Sequence, residues 1–225
     1  MDKTEKEKFN YEYYKKKVES KKFYIKYIKR PMDIIITSVL IILALPIFII
    51  TAIAIKLTSK GPVFFIQERI GYKGKMFKCY KFRSMYIEHQ QPDSNHSNPE
   101  HYTQKGILMK HKNDPRVTPV GKIIRKTSID ELPQLFNVIK DDMSLVGPRP
   151  VLEFFQRPVP EFSKIRTLVP QGLTGYWQVK NRANSSSIYH MVDFDLYYLE
   201  HISPLLDLKI LFETVSAVIK AKGAY

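Results

Sequence analysis

The longest apolar stretch in the chain, Ile34 to Ile55, is 22 residues without a charge. At about 1.5 Å per residue, a straight helix of that length reaches across a hydrocarbon core of about 30 Å. It starts too late and runs too long for a secretory signal. Pro46 falls in its middle, where it removes a backbone hydrogen bond and crowds the preceding turn. The pattern predicts a membrane segment over residues 30–59, broken at Pro46. Two topologies fit: a re-entrant hairpin that returns to its own side, or an ordinary bitopic span.

Shorter patterns follow. Pro62–Gln67 and Met76–Phe82 read as two strands linked through Gly71–Gly74. Residues 88–106 are polar and rich in Asn, Ser and Pro, and predict a mobile loop. Its histidines, His89, His96 and His101, lack the i, i+4 spacing of a helical metal site. Helical spacing is present over Thr118–Arg125, Leu132–Lys140, Ser187–His201 and Leu205–Lys222. In the last, Leu208, Leu211, Val215, Val218 and Ile219 share a face opposite Asp207, Lys209, Glu213 and Lys220. That face predicts a core-facing helix, with a seat on a membrane interface as the alternative. The fold class is α/β, mostly helical with a short β-hairpin. It divides into a basic extension (1–29), the membrane segment (30–59) and a catalytic or binding domain (60–225).

Charge sharpens the topology. The chain has 225 residues and 36 Lys and Arg against 22 Asp and Glu, a net of +14. Residues 1–83 hold 19 basic and 7 acidic side chains, a net of +12, so the excess brackets the apolar run. Cationic flanks on both sides favour the re-entrant hairpin, because both would stay in the cytoplasm. Lysines interleaved with Phe9, Tyr11, Tyr13, Tyr14, Phe23, Tyr24 and Tyr27 suit a surface of anionic lipid head groups rather than nucleic acid. A solvated basic tail is the plainer reading. Cys79 is the only cysteine, which excludes an internal disulfide and a cysteine zinc site.

The candidate chemistry is concentrated in the second half. Asp130 and Glu131 are adjacent carboxylates a few residues after Arg125. Such a pair is best tolerated beside a divalent cation, a positive field or a helix start. Ser128–Glu131 also has the form of a capping box, a purely structural alternative. Arg149 stands between Pro148 and Pro150, whose fixed φ values constrain the direction of a guanidinium suited to phosphate or carboxylate. Lys81 and Arg83 lie at a strand end and point to one face. No G-x-x-x-x-G-K, G-x-G-x-x-G, G-x-S-x-G or H-E-x-x-H string occurs.

Taken in order, several strings resemble the bacterial sugar transferase family, the monotopic phosphoglycosyl transferases. They are Lys29-Arg-Pro-Met-Asp33, Lys60-Gly-Pro-Val-Phe-Phe65, Gln67-Glu-Arg-Ile-Gly71 and Tyr80-Lys-Phe-Arg-Ser-Met85. Asp114-Pro-Arg-Val-Thr-Pro119, Arg125-Lys-Thr-Ser-Ile-Asp-Glu-Leu-Pro-Gln134, Asp142 to Pro150, Gly172 to Gln178, Asp195-Leu-Tyr-Tyr198, Asp207-Leu-Lys209 and Gly223-Ala-Tyr225 continue the series. The resemblance implies a small monotopic membrane protein with a re-entrant helix-break-helix and interfacial helices, on the cytoplasmic face of the bacterial inner membrane. It places the chain with the short form of the family. The implied reaction moves a sugar 1-phosphate from a UDP-sugar to polyprenyl phosphate and releases UMP. Asp130 would be the nucleophile, and Glu131 would help hold Mg²⁺ or handle protons. Arg125 and Arg149 would bind phosphate, with Lys81 and Arg83 as weaker members of the cradle. A non-catalytic membrane-anchored adaptor is the alternative function. Nothing in the sequence decides between a monomer and a homodimer.

Overall fold

A computed structural model describes residues 8–87, 114–181 and 188–219. The loop expected over 88–106, with its histidines, lies outside these residues. The described chain opens on α1 (Tyr11–Ser20), where the Asn10 side chain accepts from the Tyr13 N–H at 3.1 Å and caps the first turn. A π-helical turn, Tyr24–Lys29, runs straight into α2 (Arg30–Thr58).

Helix α2 corrects the expectation of two helices separated at Pro46: the helix continues through it. Proline forfeits the single hydrogen bond to the Ile42 carbonyl, and an apolar run without other breakers resumes its ladder in the next turn. The helical stretch Tyr24–Thr58 is long and apolar enough to cross a membrane, and only 22% of its most apolar window is buried. Ile35, Ile42, Leu43 and Ile50 are each at least 65% exposed.

Both ends of this helix nevertheless rest on one body. Arg30 donates to the Val138 carbonyl at 2.7 Å and the Ile139 carbonyl at 3.2 Å. Further along, the Phe48 ring packs 5.6 Å from Phe136 and 5.3 Å from Phe82. Ile55 closes the same cluster with Ala44 and Ile124. At the N-terminal end, the buried Lys29 ammonium pairs with Asp207 at 2.7 Å, and Asp33 accepts from the Ser144 hydroxyl at 2.6 Å.

Strands β1 (Phe64–Ile70) and β2 (Met76–Phe82) form the expected antiparallel hairpin, with Phe65 opposite Lys81 and Gln67 opposite Cys79. Alternation sends Phe82 into the apolar cluster under α2 and turns Lys81, Cys79, Gln67 and Arg69 to the other face. Helix α3 (Pro119–Lys126) starts at Thr118, whose hydroxyl accepts from the Gly121 N–H at 2.8 Å. A 3₁₀ turn (Ile129–Glu131) and α4 (Gln134–Ile139) follow. Next come β3 (Ser144–Val146), α5 (Glu153–Gln156), α6 (Pro160–Arg166) and β4 (Gly172–Thr174). β3 and β4 pair in parallel, and α5 and α6 ride on the crossover between them. The strands were too short to show in the sequence pattern.

The chain then forms α7 (Tyr176–Asn181), α8 (Tyr189–His201) and α9 (Pro204–Ile219). Helix α9 departs in part from the core-facing expectation and leans toward the interface alternative: Leu211 packs against the core and Lys209 is exposed, but much of the leucine face is not covered. Leu208, Val215 and Val218 are exposed, as are Leu205 at 79% and Phe212 at 74%, whereas Ile210 and Asp207 are buried. Asp207 turns inward because it accepts hydrogen bonds from Tyr24 and Lys29, each at 2.7 Å, and from Tyr198 at 2.9 Å. A buried carboxylate with that many donors outweighs the preference of the leucine face for the core.

Candidate active site

The turn that carries Asp130 and Glu131 is set by Ser128, which ends α3 in the left-handed region at φ 59°. A serine there is a strained choice. Its side chain makes no capping hydrogen bond, so the capping-box alternative does not describe this turn. Two backbone bonds hold the turn, Glu131 N–H to the Ser128 carbonyl and Leu132 N–H to the Ile129 carbonyl, both at 3.1 Å. Pro133 follows at the start of α4, where its missing N–H costs nothing.

Asn137 registers this turn against the hairpin. Fully buried on α4, it accepts from the Tyr80 N–H at 3.0 Å and donates to the Lys78 carbonyl at 2.7 Å. That lock sets Lys81, the next residue of β2, 2.9 Å from Glu131 Oε1. Arg149 meets Glu131 from the other side, its guanidinium forking onto both carboxylate oxygens, one contact at 3.2 Å. The segment bearing Arg149 is held by backbone. Gly172 N–H donates to the Pro148 carbonyl, and Gly147 N–H donates to the Thr174 carbonyl, each at 2.9 Å. Glycine is required at the crossing: a Cβ on Gly172 would stand 2.1 Å from the Gly147 nitrogen.

These contacts give the two carboxylates different characters. Burial pushes Glu131 up, but the charges and hydrogen bonds of Arg149 and Lys81 outweigh it and hold the carboxyl well below its ordinary value. For Asp130, burial and the negative charge of Glu131 prevail over Lys81, Arg125 and Arg149, and raise it from 3.8 to about 6. Two adjacent carboxylates thus separate into a locked anion and a basic, half-buried one. A carboxylate of that kind is the better nucleophile or proton acceptor, and it remains mostly ionised at neutral pH.

Of the other sequence candidates, Arg125 sits in the last turn of α3 and its charge bears on both Asp130 and Asp114. Arg83 stands apart. It is 2% exposed, donates to the Ser59 carbonyl at 2.9 Å and to the Lys60 carbonyl, and so ties the end of α2 to the hairpin. With its guanidinium on backbone carbonyls, it does not join Lys81 in the cradle, which corrects that expectation. Arg69 was missed. It shares the Lys81 face of the hairpin, hydrogen-bonds Gln67 at 2.7 Å, and interacts electrostatically with Arg149 and Glu131. Burial lowers it to about 10, so it is still charged at neutral pH. Its alternation with Gln67 across from Cys79 was the available signal. Asn137 had none, since the contacts by which it registers the hairpin are to backbone groups 57 and 59 residues away.

Among the described residues, no group of three or more His, Cys, Asp or Glu side chains is placed to hold a metal. The donor set fits a looser mode, in which Mg²⁺ takes one or two carboxylates and completes its shell with substrate phosphate and water. Glu131 has both oxygens engaged by Lys81 and Arg149, which leaves Asp130 as the more available carboxylate. Around the pair, Lys81, Arg149, Arg125 and Arg69 outnumber the carboxylates, an excess of positive charge that suits a diphosphate.

The chain is similar to known proteins along most of its length. The chain is 39% identical over 203 residues to the exopolysaccharide production protein ExoY of Rhizobium meliloti, covering 88% of each chain. It is 40% identical over 204 residues to the UDP-N-acetylgalactosamine-undecaprenyl-phosphate N-acetylgalactosaminephosphotransferase of Aeromonas hydrophila, covering 88% of this chain and 45% of that one. It is 39% identical over 203 residues to the undecaprenyl-phosphate galactose phosphotransferase of Salmonella typhimurium, covering 89% of this chain and 42% of that one. The chain therefore spans less than half of these two longer relatives and most of the first. The family model described as bacterial sugar transferase matches residues 24–221, from the turn before α2 to just past α9 and including every residue of the site described above. This chain belongs to the bacterial sugar transferase family.

Proposed function

We propose that the protein transfers a sugar 1-phosphate from a UDP-sugar to polyprenyl phosphate and releases UMP. The observation that carries this reading is Asp130: a carboxylate raised to about 6 next to a Glu131 that Lys81 and Arg149 hold ionised. A carboxylate oxygen of Asp130 attacks the sugar-proximal phosphorus. The bond from that phosphorus to the bridging oxygen breaks, and UMP leaves with the electron pair. The acyl phosphate on Asp130 is then attacked at phosphorus by an oxygen of polyprenyl phosphate, which forms the lipid diphosphosugar and frees the carboxylate. Arg149, Lys81, Arg125 and Arg69 offset the charge of the diphosphate while Asp130 approaches it. Mg²⁺, when held by Asp130 and Glu131 with the diphosphate, would supply further charge neutralisation.

The anchor serves the same reaction. The two cationic flanks of α2 and the contact of both its ends with one body support an anchor that keeps both its ends on the cytoplasmic side. The exposed Phe23 and Tyr27 at its start, and Leu205, Leu208, Phe212 and Val215 along α9, offer apolar surface to the interface of the inner membrane. The site then sits where a lipid phosphate and a soluble nucleotide meet. Purified protein with Mg²⁺ and polyprenyl phosphate should release UMP from at least one member of a UDP-sugar panel, and Asp130→Asn should abolish release. Full activity in Asp130→Asn would refute the mechanism, and no UMP from any UDP-sugar would favour a non-catalytic adaptor. Cysteines replacing Glu5 and Gln90 should label from the same side of the membrane; labelling from opposite sides would overturn the re-entrant anchor.

A further inference from the structure

The fold sets Arg149 against Glu131, but a second, fully buried arginine touches the Arg149 backbone from behind. Arg166, at the end of α6, is 0% exposed. Its Nε and Nη2 donate to Asp195 Oδ2 on α8 at 3.0 and 2.8 Å, and Nη2 also donates to the Arg149 carbonyl at 2.8 Å. The guanidinium lies over the Phe162 ring, 5.4 Å from its centroid. The side chains of this ion pair are 0% and 4% exposed. We propose that Arg166, held by Asp195, is a positioning residue for the transfer: it fixes the Arg149 carbonyl, and through it the direction in which the Arg149 guanidinium meets the substrate diphosphate.

Three physical points support this assignment. A buried ion pair is a poor stability device, because the cost of desolvating two charges matches or exceeds what their attraction returns. Arg166 also leaves Nη1 without a partner among the described residues, an added cost that pure packing gives no reason to accept. Finally, the shared Nη2 is a geometric choice. A lysine could pair with Asp195, but it lacks the second nitrogen, Nε, that holds the planar guanidinium on Asp195 while Nη2 is aimed at the Arg149 carbonyl. Arg149 is flanked by prolines and held by Gly172 through the Pro148 carbonyl. Arg166 supplies a side-chain hold at the arginine itself, so the short Pro-Arg-Pro segment is gripped on both sides of its turn.

The inference rests on the phosphate-binding role proposed for Arg149, and the test separates the two. UMP release from a UDP-sugar is measured for Arg149→Lys, Arg166→Lys and the double variant, each checked for folding by thermal unfolding. Misplacing a group by about 1 Å costs roughly 100-fold in rate, so Arg166→Lys should lose between about 10-fold and 100-fold in kcat/KM. In the double variant, Arg166→Lys should add less than about 3-fold to the loss already caused by Arg149→Lys, since coupled sites are not additive. Losses that multiply independently, or an Arg166→Lys enzyme with normal kcat/KM, would overturn the positioning role. If Arg149→Lys itself keeps full activity, the phosphate-binding role of Arg149 is at fault instead. Asp195→Asn serves as the second variant: it keeps the acceptor oxygen and removes the charge, and it should show the same non-additivity with Arg149→Lys. If neither variant yields folded protein, the pair belongs to the core and the proposal fails.

Discussion

Replacing Asp130 by asparagine should inactivate the protein and stabilise it. Asp130 is raised from 3.8 to about 6, first by burial and then by Glu131. At about 1.4 kcal/mol for each tenfold change, that rise amounts to about 3 kcal/mol. The unfolded chain ionises this carboxyl near its ordinary value, and the folded protein does so only near pH 6. Between those values the folded state holds the extra proton, so stability falls as pH rises through this window, and the penalty is complete above it. An asparagine carries no such penalty. Asp130→Asn should therefore be more stable than wild type by about 3 kcal/mol at pH 7.5, a gain of about 6–12 °C in Tm for a chain of this size. The gain should fade toward zero by about pH 4. Thermal unfolding in one detergent at both pH values is the assay. A natural contrast is Asp114, lowered by its hydrogen bonds to Arg116, for which Asp114→Asn should lose stability at pH 7.5. An Asp130→Asn protein less stable than wild type at pH 7.5 would refute the reasoning, because the carboxylate would then be a stabilising charge and not a strained one.

Three further outcomes follow from the same contacts. kcat/KM for UMP release should decline below about pH 6 as Asp130 takes a proton, and Arg125→Gln should move that limb to higher pH by removing a stabilising cation; a flat profile between pH 5 and 7 would contradict it. Asp207→Asn leaves the Lys29 ammonium buried without its counter-ion and should cost about 3–5 kcal/mol in urea unfolding. Arg83→Met removes the hydrogen bonds to the Ser59 and Lys60 carbonyls and should cost about 2–4 kcal/mol, while the KM for UDP-sugar in the folded fraction stays unchanged.

The parts of the fold legible in sequence are those set by local pattern. The β-hairpin, α3 and α8 appear within a few residues of their expected bounds, because alternation, capping and helical spacing are short-range signals. Asp130, Glu131, Arg125 and Arg149 were legible as residue types in suggestive settings, and the family resemblance gave them roles. What could not be read locally was decided by distant partners. The orientation of α9 turns on Asp207 meeting Lys29, 178 positions away. The separation of Lys81 from Arg83, adjacent on one strand face, turns on which of them finds backbone carbonyls and which finds Glu131. Arg69 entered the site only through the hairpin register. Pro46 shows the converse: a strong local signal for a break that the surrounding apolar helix absorbed.

The most direct test of the central claim is the mass of the intact protein after brief exposure to the active UDP-sugar with Mg²⁺ and without lipid acceptor. The wild type should gain the mass of one sugar phosphate, release one equivalent of UMP, and return to its original mass when polyprenyl phosphate is added. Asp130→Asn should gain nothing. An unmodified wild type that still turns over when both substrates are present, or an adduct that survives in Asp130→Asn, would contradict the account.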